Sequence, residues 1–379
     1  MKYKAVICFS ALDWNFLRQR THYIMEGMAT RGLKVLFVEN TGVRNPRFDD
    51  FNRILNRLKN AADTGNASNS VPDNMEIFSP MALPFPYNKL AIYYNAWYIK
   101  KYINGFLARY NLLPSEVIFW TYLATPAILR LAEDYLWGLV VYDVVSDPKL
   151  VERKLAPHEK KLLLTADKVL FASHVLYEQY SPVTRNPVVF EDGFNTGLLQ
   201  SRIKPCLMDN LPRPRFLYIG GINRKIWREM IESLCAAFPG GSVTLIGPTS
   251  DDTKLANLPN LYILPPCSDY RELAPYLENA EAGIIPYYND DYAGAMHPAK
   301  LNEYIIFGLP VVATATPELT KLDQTWGKGF FYLGANPEEF VRAATTALAD
   351  DTVTRESRKA FAVTNTWDVR LEVLFDLIE

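Results

Sequence analysis

The sequence has few residues of the kinds that build metal centres and disulfide frameworks. Its 379 residues include four cysteines and four histidines. The cysteines stand far apart along the chain, with no Cys-x-x-Cys pair and no histidine at the spacing of a zinc site. We therefore predict neither a metal site nor a disulfide framework, a pattern typical of a cytoplasmic protein.

Long apolar segments are also missing. No run of about 18 apolar residues occurs, so no membrane-spanning helix is predicted. The first segment, MKYKAVICFS, is β-prone and reaches Asp13 too early for a secretory signal. We expect a cytoplasmic location with no nucleic-acid partner.

The formal net charge of −2 conceals an uneven distribution. Up to residue 205, Lys and Arg outnumber Asp and Glu by 25 to 19, whereas over the remainder they are outnumbered by 23 to 15. A basic half indicates an anionic partner, such as a membrane surface or an acidic substrate. Solvated charge without a partner is the alternative.

Strands and helices alternate in the first half. The segment YKAVICF reads as a buried strand, Arg18–Arg31 as a helix closed by Gly32, and KVLFVEN as a second strand, which together form a βαβ unit of a parallel sheet. Further strands are predicted at EVIFWT, LVVYDVV, DKVLFAS and PVVFEDG. Helices are predicted to begin near Thr125, Ala156 and His174.

The second half repeats this alternation after an irregular linker at about 196–213. The predicted strands are RFLYIG, SVTLIGP, NLYILPP, EAGIIP and LPVVAT. We predict an α/β protein of two Rossmann-like, doubly wound domains that face a cleft, covering 1–200 and 214–364. A helix at 365–379, capped by Asn365 or Thr366, is expected to pack back on the first domain.

Two segments of the first half differ from this pattern. The polar stretch NAADTGNASNSVPDN is predicted to be a mobile loop. A helix from about Asn88 to Tyr110 then mixes aromatics with lysines, which is typical of a helix at a membrane surface. Residues 85–110 are accordingly a candidate for peripheral membrane contact, and a core helix with an aromatic stripe is the alternative.

The stretch HPAKLNEYIIFGLP, beginning at His297, predicts a helix from Pro298 to Phe307, ended by Gly308. Lys300 and Glu303 lie three residues apart and so share one face near its N-terminus. A cation beside a carboxylate at that end of a helix is suited to holding a phosphate together with a sugar diol. An ordinary surface ion pair is the alternative.

A pair of glycines, Gly220 and Gly221, follows a predicted strand and precedes a helix predicted at Lys225–Phe238. Their amides could approach a phosphate closely, and Arg224 and Lys225 could neutralise a diphosphate. A plain tight turn is the alternative. The long aromatic loop PYYNDDYAGAMHP, which includes His297, is of the kind that closes over a bound nucleotide.

This part of the chain resembles the donor-binding domain of GT-B glycosyltransferases. The resemblance lies in the order of its elements: a strand, the glycine pair, a helix, a strand ending in IGP, and then the pattern P-x-K-L-x-E-Y-x-x-x-G-x-P-V-V-A. The segment is similar in particular to the family 4 enzymes and to bacterial exopolysaccharide glucuronosyltransferases. The resemblance implies that Glu303 holds the ribose of a nucleotide-sugar donor, with UDP expected, and that Lys300 contacts the diphosphate. Arg224 and Lys225 match the family's diphosphate-binding cations.

The resemblance further implies transfer of the sugar to a saccharide or lipid-linked acceptor in cell-surface polysaccharide synthesis, at the cytoplasmic face of a membrane and without a cofactor or metal. A carboxylate base on the acceptor side would take the hydroxyl proton. Asp143 is the first candidate and Asp13 the second, with Asp147 and Glu191 as further cleft residues. Each could instead cap a helix or form a turn. The alternatives in function are a nucleotide-sugar epimerase of the same fold and a catalytically inactive binding protein.

Overall fold

The computed structural model describes residues 2–16, 18–40, 71–83, 85–147, 150, 152–201, 206–250, 253, 255–267 and 269–379. The chain forms two compact units. Unit 1 comprises Met1–Ala172, Leu176–Phe190 and Leu371–Glu379, and unit 2 comprises Ser173–Val175 and Glu191–Arg370. The predicted loop NAADTGNASNSVPDN lies largely outside the described residues.

The described part of unit 1 contains a parallel sheet in the order β3-β2-β1-β4-β5-β6-β7. Its central strands are apolar runs buried on both faces, as expected when helices cover both sides of a parallel sheet. The register places Ile7 of β1 beside Leu36 of β2 and Phe119 of β4. The strands are β1 Ala5–Phe9, β2 Lys34–Val38, β3 Met75–Phe78, β4 Val117–Thr121, β5 Leu139–Val144, β6 Lys168–Phe171 and β7 Pro187–Val189.

Helices connect β1 to β2 and join the strands from β3 to β7 in succession, as the crossovers of parallel pairing require. The aromatic helix begins where predicted, because the Asn88 side chain accepts hydrogen bonds from the amides of Leu90 and Ala91. The helices of the first half are α1 Arg20–Thr30, α2 Lys89–Arg109, α3 Pro126–Glu133, α4 Ala156–Thr165 and α5 His174–Tyr180.

The described part of unit 2 contains a second parallel sheet, in the order β10-β9-β8-β11-β12-β13. Its strands are β8 Arg215–Ile219, β9 Ser242–Ile246, β10 Leu261–Leu264, β11 Ala282–Ile285, β12 Val311–Thr314 and β13 Phe331–Gly334. Chain order reverses between the neighbouring strands β8 and β11. Such a point is where open α/β sheets bind ligands.

The helices of the second half pack around that sheet. They are α6 Arg228–Ala237, α7 Ala274–Asn279, the single turn α8 Asp291–Gly294, α9 Lys300–Ile306, α10 Pro317–Trp326, α11 Pro337–Leu348, α12 Thr352–Thr364 and α13 Trp367–Ile378. Helix α9 follows the predicted Pro298–Phe307 closely, and Gly308 after it has the positive φ of 70° that a glycine C-cap adopts. Helix α6 begins three residues later than predicted.

The C-terminal helix α13 extends from unit 2 into unit 1. Its last residues pack on α1: Leu371 lies so close to Gly27 that a Cβ there would be 2.6 Å from a leucine methyl. Arg31 of α1 forms an ion pair with Glu372 and lies 4.3 Å from the ring centre of Phe375. Residues 191–200, which we assigned to the first domain, group with unit 2.

The sequence prediction of two doubly wound parallel sheets is confirmed. The short strands β3 and β13 and the helices α10 to α12 were not predicted. None of the described helices is both long and apolar enough to cross a membrane.

Candidate functional site

The candidate site in unit 2 lies where the loop after β8 meets the loop after β11. The first loop contains Gly220, whose φ of 122° favours glycine. A Cβ at Gly220 would lie 3.4 Å from the end of the Lys300 side chain. Gly247, of the segment IGP, supports the loop from behind, since a Cβ there would lie 2.1 Å from the Gly220 carbonyl oxygen. The two predicted motifs, the glycine pair and the helix of Lys300, are therefore adjacent.

The two loops are joined through their backbones. Ile226 and Tyr287 form an antiparallel bridge. The Trp227 amide donates to the Pro286 carbonyl at 2.7 Å, and the Tyr288 amide donates to the Lys225 carbonyl at 2.9 Å. Residues 225–227, predicted to be helical, instead form the end of a turn and an isolated bridge, because their backbone makes these bonds. The bonds fix the position of Tyr287 relative to the glycine pair.

Lys300 is buried against two tyrosines. Its ammonium lies 4.6 Å from the ring centres of both Tyr218 and Tyr287 and donates to the Tyr287 hydroxyl. Cation–π attraction of this kind holds an ammonium in place without neutralising its charge. Burial raises the pKa of Tyr287, but Lys300, Tyr218 and Lys225 together more than offset this, so that the net shift in pKa is downward. The result is a positive charge fixed beside Gly220.

Helix α9 is held against the sheet by Tyr304. The Tyr304 hydroxyl donates to the Leu217 carbonyl at 2.9 Å and accepts from the Ile219 amide at 3.1 Å. Its ring fills the space above Gly283, where a Cβ would lie 2.4 Å from a ring carbon. Because Tyr304 directly follows Glu303, this packing sets the position of the carboxylate.

Glu303 and His297 carry polar atoms that are shielded from solvent and have no partner among the described residues. Glu303 Oε1 accepts from the Tyr270 hydroxyl at 2.5 Å, whereas Oε2 accepts no hydrogen bond. Both ring nitrogens of His297 are unpartnered as well. Burial raises the pKa of Glu303. Buried polar atoms without partners cost free energy, and they indicate a site that a ligand completes.

The alternative of a surface ion pair is not observed, because Lys300 bonds to Tyr287 and Glu303 bonds to Tyr270. The other two predicted diphosphate-binding cations differ in exposure. Lys225 is half-buried, with its ammonium 4.6 Å from the ring centre of Tyr292. Arg224 is exposed. Its guanidinium makes no contact within the described part of the chain that fixes its direction.

Glu191, predicted as a cleft residue, belongs to a network within unit 2. Its carboxylate accepts from His174 Nε2 at 3.0 Å, from Arg370 Nη2 at 2.9 Å and from Trp326 Nε1 at 3.4 Å. Burial opposes ionisation of Glu191, but His174, His297 and Arg370 together lower its pKa to about 2. The hydrogen bond to Glu191 raises the pKa of His174.

The three aspartates proposed as acceptor-side residues lie in unit 1. Asp143 is fully buried and accepts from Arg20 Nε at 3.0 Å through both of its oxygens. Asp147 accepts from the Tyr180 hydroxyl at 2.9 Å and from Gln179 at 3.3 Å. Asp13 lies half-buried in the loop after β1. The contacts of Asp143 and Asp147 are those of structural carboxylates, and Asp13 is the most accessible of the three.

A cavity of about 200 Å³ opens in unit 1 near the carboxyl ends of β1, β2, β4 and β5. Its walls include Tyr122, Tyr142, Asn40 and Ser146 beside apolar side chains. Asn40 Nδ2 donates to the Ala11 carbonyl at 2.8 Å, which joins the loop of Asp13 to one wall. Within the part of the chain that the structure describes, no cluster of His, Cys, Asp and Glu could hold a metal ion.

Three tyrosines of the unit 2 site were missed by sequence reasoning. Tyr218 and Tyr287 enclose the Lys300 ammonium, and Tyr270 binds Glu303. The sequence contains 22 tyrosines, and no spacing rule distinguishes these three. Tyr287 alone had a usable signal, since it stands in the aromatic loop directly after β11.

Comparisons with known proteins agree with this architecture. No family model matches the sequence. A protein of Bacillus subtilis (strain 168) named as a glycosyltransferase of teichuronic acid biosynthesis is 31% identical over 158 residues, which cover 40% of this chain and 39% of that protein. The chain thus matches about two fifths of the length of this curated relative.

Solved structures match over the whole chain. A sucrose-phosphate synthase from Thermosynechococcus elongatus superposes with a TM-score of 0.71 at 15% identity, covering 99% of this chain and 98% of the other. HepE from Anabaena, solved in complex with UDP, gives a TM-score of 0.62 at 13% identity, covering 99% and 98%. These comparisons confirm the predicted resemblance to GT-B glycosyltransferases, and the chain has the GT-B fold.

Proposed function

We propose that this chain is a glycosyltransferase that uses a UDP-sugar donor and glycosylates a saccharide or lipid-linked acceptor in cell-surface polysaccharide synthesis. One observation carries the proposal: at the reversal of strand order the fixed charge of Lys300 lies beside Gly220, and the same helix carries Glu303, whose Oε2 has no hydrogen-bond partner among the described residues. His297, three residues before Lys300, has two ring nitrogens that are likewise without a hydrogen bond there. A cation and glycine amides suit a diphosphate, and a carboxylate suits the two hydroxyls of a ribose. The UDP complex of HepE supports the choice of nucleotide.

In the proposed reaction, an acceptor hydroxyl oxygen attacks the anomeric carbon of the donor. The bond from that carbon to the diphosphate oxygen breaks, and the diphosphate leaves with the electron pair. Lys300 and the amides of the glycine loop stabilise the developing negative charge. The proton of the hydroxyl passes to a carboxylate, for which Asp13 is the better candidate because it is more exposed than Asp143 and Asp147. No cofactor or metal enters this scheme.

A thermal-shift screen over UDP, GDP and TDP sugars tests the donor assignment. A ligand present at a hundred times its dissociation constant adds about 2.7 kcal/mol to the free energy of unfolding. We expect UDP and UDP-sugars to raise the melting temperature. Sugar transfer to membrane-extracted acceptors should then follow with the same donor. Interconversion of the nucleotide sugar without an acceptor would instead identify an epimerase, and no shift with any nucleotide would identify an inactive relative.

A further inference from the structure

Helix α2 has one apolar face in the core of unit 1 and a second whose apolar side chains are exposed. Ile99, Ile103 and Phe106 belong to the buried core of unit 1. The opposite face carries large apolar side chains at the helical spacing i, i+3, i+4 and i+7: Leu90 is 79% exposed, Tyr93 57%, Tyr94 41% and Trp97 59%. The segment before the helix adds three more exposed side chains, Met81, Leu83 and Phe85. We call these seven residues the α2 surface.

The α2 surface is bordered by positive charge, and helix α2 itself carries no acidic residue; the neighbouring Asp134, after α3, is paired with Lys100. No Asp or Glu occurs in the sequence between Glu76 and Glu116. Lys89 and Lys101 are exposed, and no carboxylate among the described residues pairs with either of them. The exposed Arg130 of α3 places its guanidinium 4.5 Å from the ring centre of Tyr93. Apolar and cationic groups thus occupy one surface.

We propose that the α2 surface binds an anionic lipid bilayer. Tyrosine and tryptophan prefer the headgroup region, where the ring is apolar and the polar edge remains hydrated. Leu90 and Met81 can enter the acyl boundary, and the cations attract anionic headgroups. The opposite face of α2 is part of the core of unit 1, so the helix lies on the membrane and does not cross it.

A second copy of this chain is a poorer partner for the same surface. A twofold contact would place the same patch of one copy on that of the other. Lys89, Lys101 and Arg130 would then lie near their own equivalents, which is repulsive, and helix α2 has no acidic side chain to compensate. Anionic lipid supplies the missing charge.

Membrane binding by the α2 surface deepens the proposed function. It rests on that function in one respect: the benefit of membrane binding assumes that the acceptor is lipid-linked. Such an acceptor is confined to the membrane, and an enzyme docked there encounters it in two dimensions. Vesicle binding can be measured without sugar transfer. A failure of the membrane proposal can therefore be distinguished from a failure of the proposed glycosyltransferase function.

Co-sedimentation tests the proposal, with the full chain, phosphatidylcholine vesicles and vesicles that also contain phosphatidylglycerol. We expect binding to the anionic vesicles at low salt, weakened by added salt. The double variant Leu90→Ser/Trp97→Ser should bind at least tenfold more weakly. The matched control Leu207→Ser/Val353→Ser alters two side chains of unit 2 that are 65% and 74% exposed and should bind like the wild type. Each of Lys89→Gln and Lys101→Gln should weaken binding by about fivefold.

All variants should keep the wild-type melting temperature, because the altered side chains are exposed. Wild-type protein that stays in the supernatant at low salt would overturn the proposal, as would equal binding by the Leu90/Trp97 variant and its control. A dimer in sedimentation velocity that is lost in the Leu90/Trp97 variant, without vesicle binding, would assign the surface to a second copy instead.

Discussion

The ammonium of Lys300 lies 4.6 Å from the ring centre of Tyr287 and donates a hydrogen bond to its hydroxyl. Tyr287 is in turn fixed by the bridge between its backbone and that of Ile226. The cation of the proposed diphosphate site is therefore oriented through a residue of the neighbouring loop. Tyr287 is a positioning residue in this account, since it acts through Lys300.

Removing the Tyr287 hydroxyl should weaken nucleotide binding. In Tyr287→Phe the ring beneath Lys300 remains, but the hydrogen bond that directs the ammonium is lost. Hydrogen bonds to charged groups contribute about 1.5 kcal/mol or more, so we expect a roughly tenfold higher dissociation constant for UDP. Calorimetry measures this. Tyr262→Phe, on strand β10, is the matched control, and equal affinity in both variants would exclude a positioning role.

Substitution of Asp143 and of Asp13, two of the three acceptor-side aspartates, should have different effects. Asp143→Asn breaks a buried ion pair with Arg20, which commonly costs about 3–5 kcal/mol of stability. Asp13→Asn should leave the melting temperature unchanged and reduce kcat by at least a hundredfold, with UDP affinity preserved. Denaturant unfolding and transfer kinetics check both. If the Asp143→Asn enzyme were stable and its kcat greatly reduced, Asp143 would be the catalytic base instead of Asp13.

Adding a methyl group at Gly283 should disturb helix α9. In Gly283→Ala the new Cβ would overlap the ring of Tyr304, and overpacking of this kind costs roughly 1–3 kcal/mol. We expect a lower melting temperature together with weaker UDP binding, because Tyr304 positions the helix that carries Lys300 and Glu303. Gly240→Ala is the control, since its Cβ meets nothing within 4 Å. Unchanged UDP affinity in Gly283→Ala would show that the helix position is not critical.

The network around Glu191 should make unit 2 sensitive to acid. The pKa of Glu191 is lowered from 4.5 to about 2 in the folded state. A carboxyl group whose pKa is lower in the folded than in the unfolded state stabilises the fold at any pH above its unfolded pKa. This contribution is lost as the pH falls from about 4.5 towards 2. Glu191→Gln should therefore be less stable than wild type by roughly 3 kcal/mol at neutral pH, with the difference shrinking through that window. Melting temperatures from pH 7 to pH 2 measure it, and a constant difference would contradict this assignment.

Much of the fold could be predicted from the sequence, because buried parallel strands are short apolar runs and their helices have clear caps. Helix α9 is an example, with Pro298 before it and Gly308 after it. Side-chain pairs between residues far apart in the chain could not be predicted from these local patterns. Asp143 lies at the carboxyl end of β5, as many ligand-binding aspartates do, and only the structure reveals that it is paired with Arg20, 123 positions away.

The segment after Gly221 shows a second limit. Lys225 to Trp227 were predicted to begin a helix, but they form the end of a turn and a bridge because their backbone pairs with residues 286–288. This tertiary contact brings Tyr287 to Lys300. A local sequence pattern cannot report a bond between loops some 60 residues apart in the chain.

Titration calorimetry of UDP into wild-type protein and Glu303→Ala tests the central claim most directly. The account predicts measurable UDP binding that weakens roughly a hundredfold in the variant, because two hydrogen bonds from the ribose hydroxyls to the carboxylate are lost at about 1.5 kcal/mol each. Burial raises the pKa of Glu303, so the carboxylate is protonated at a higher pH than an ordinary glutamate. As the pH is lowered, the affinity of the wild type for UDP should therefore begin to fall earlier than an ordinary glutamate would predict. The control Glu229→Ala, at an exposed position of α6, should bind like the wild type. Equal UDP affinity in wild type and Glu303→Ala, with both proteins folded, would contradict the account.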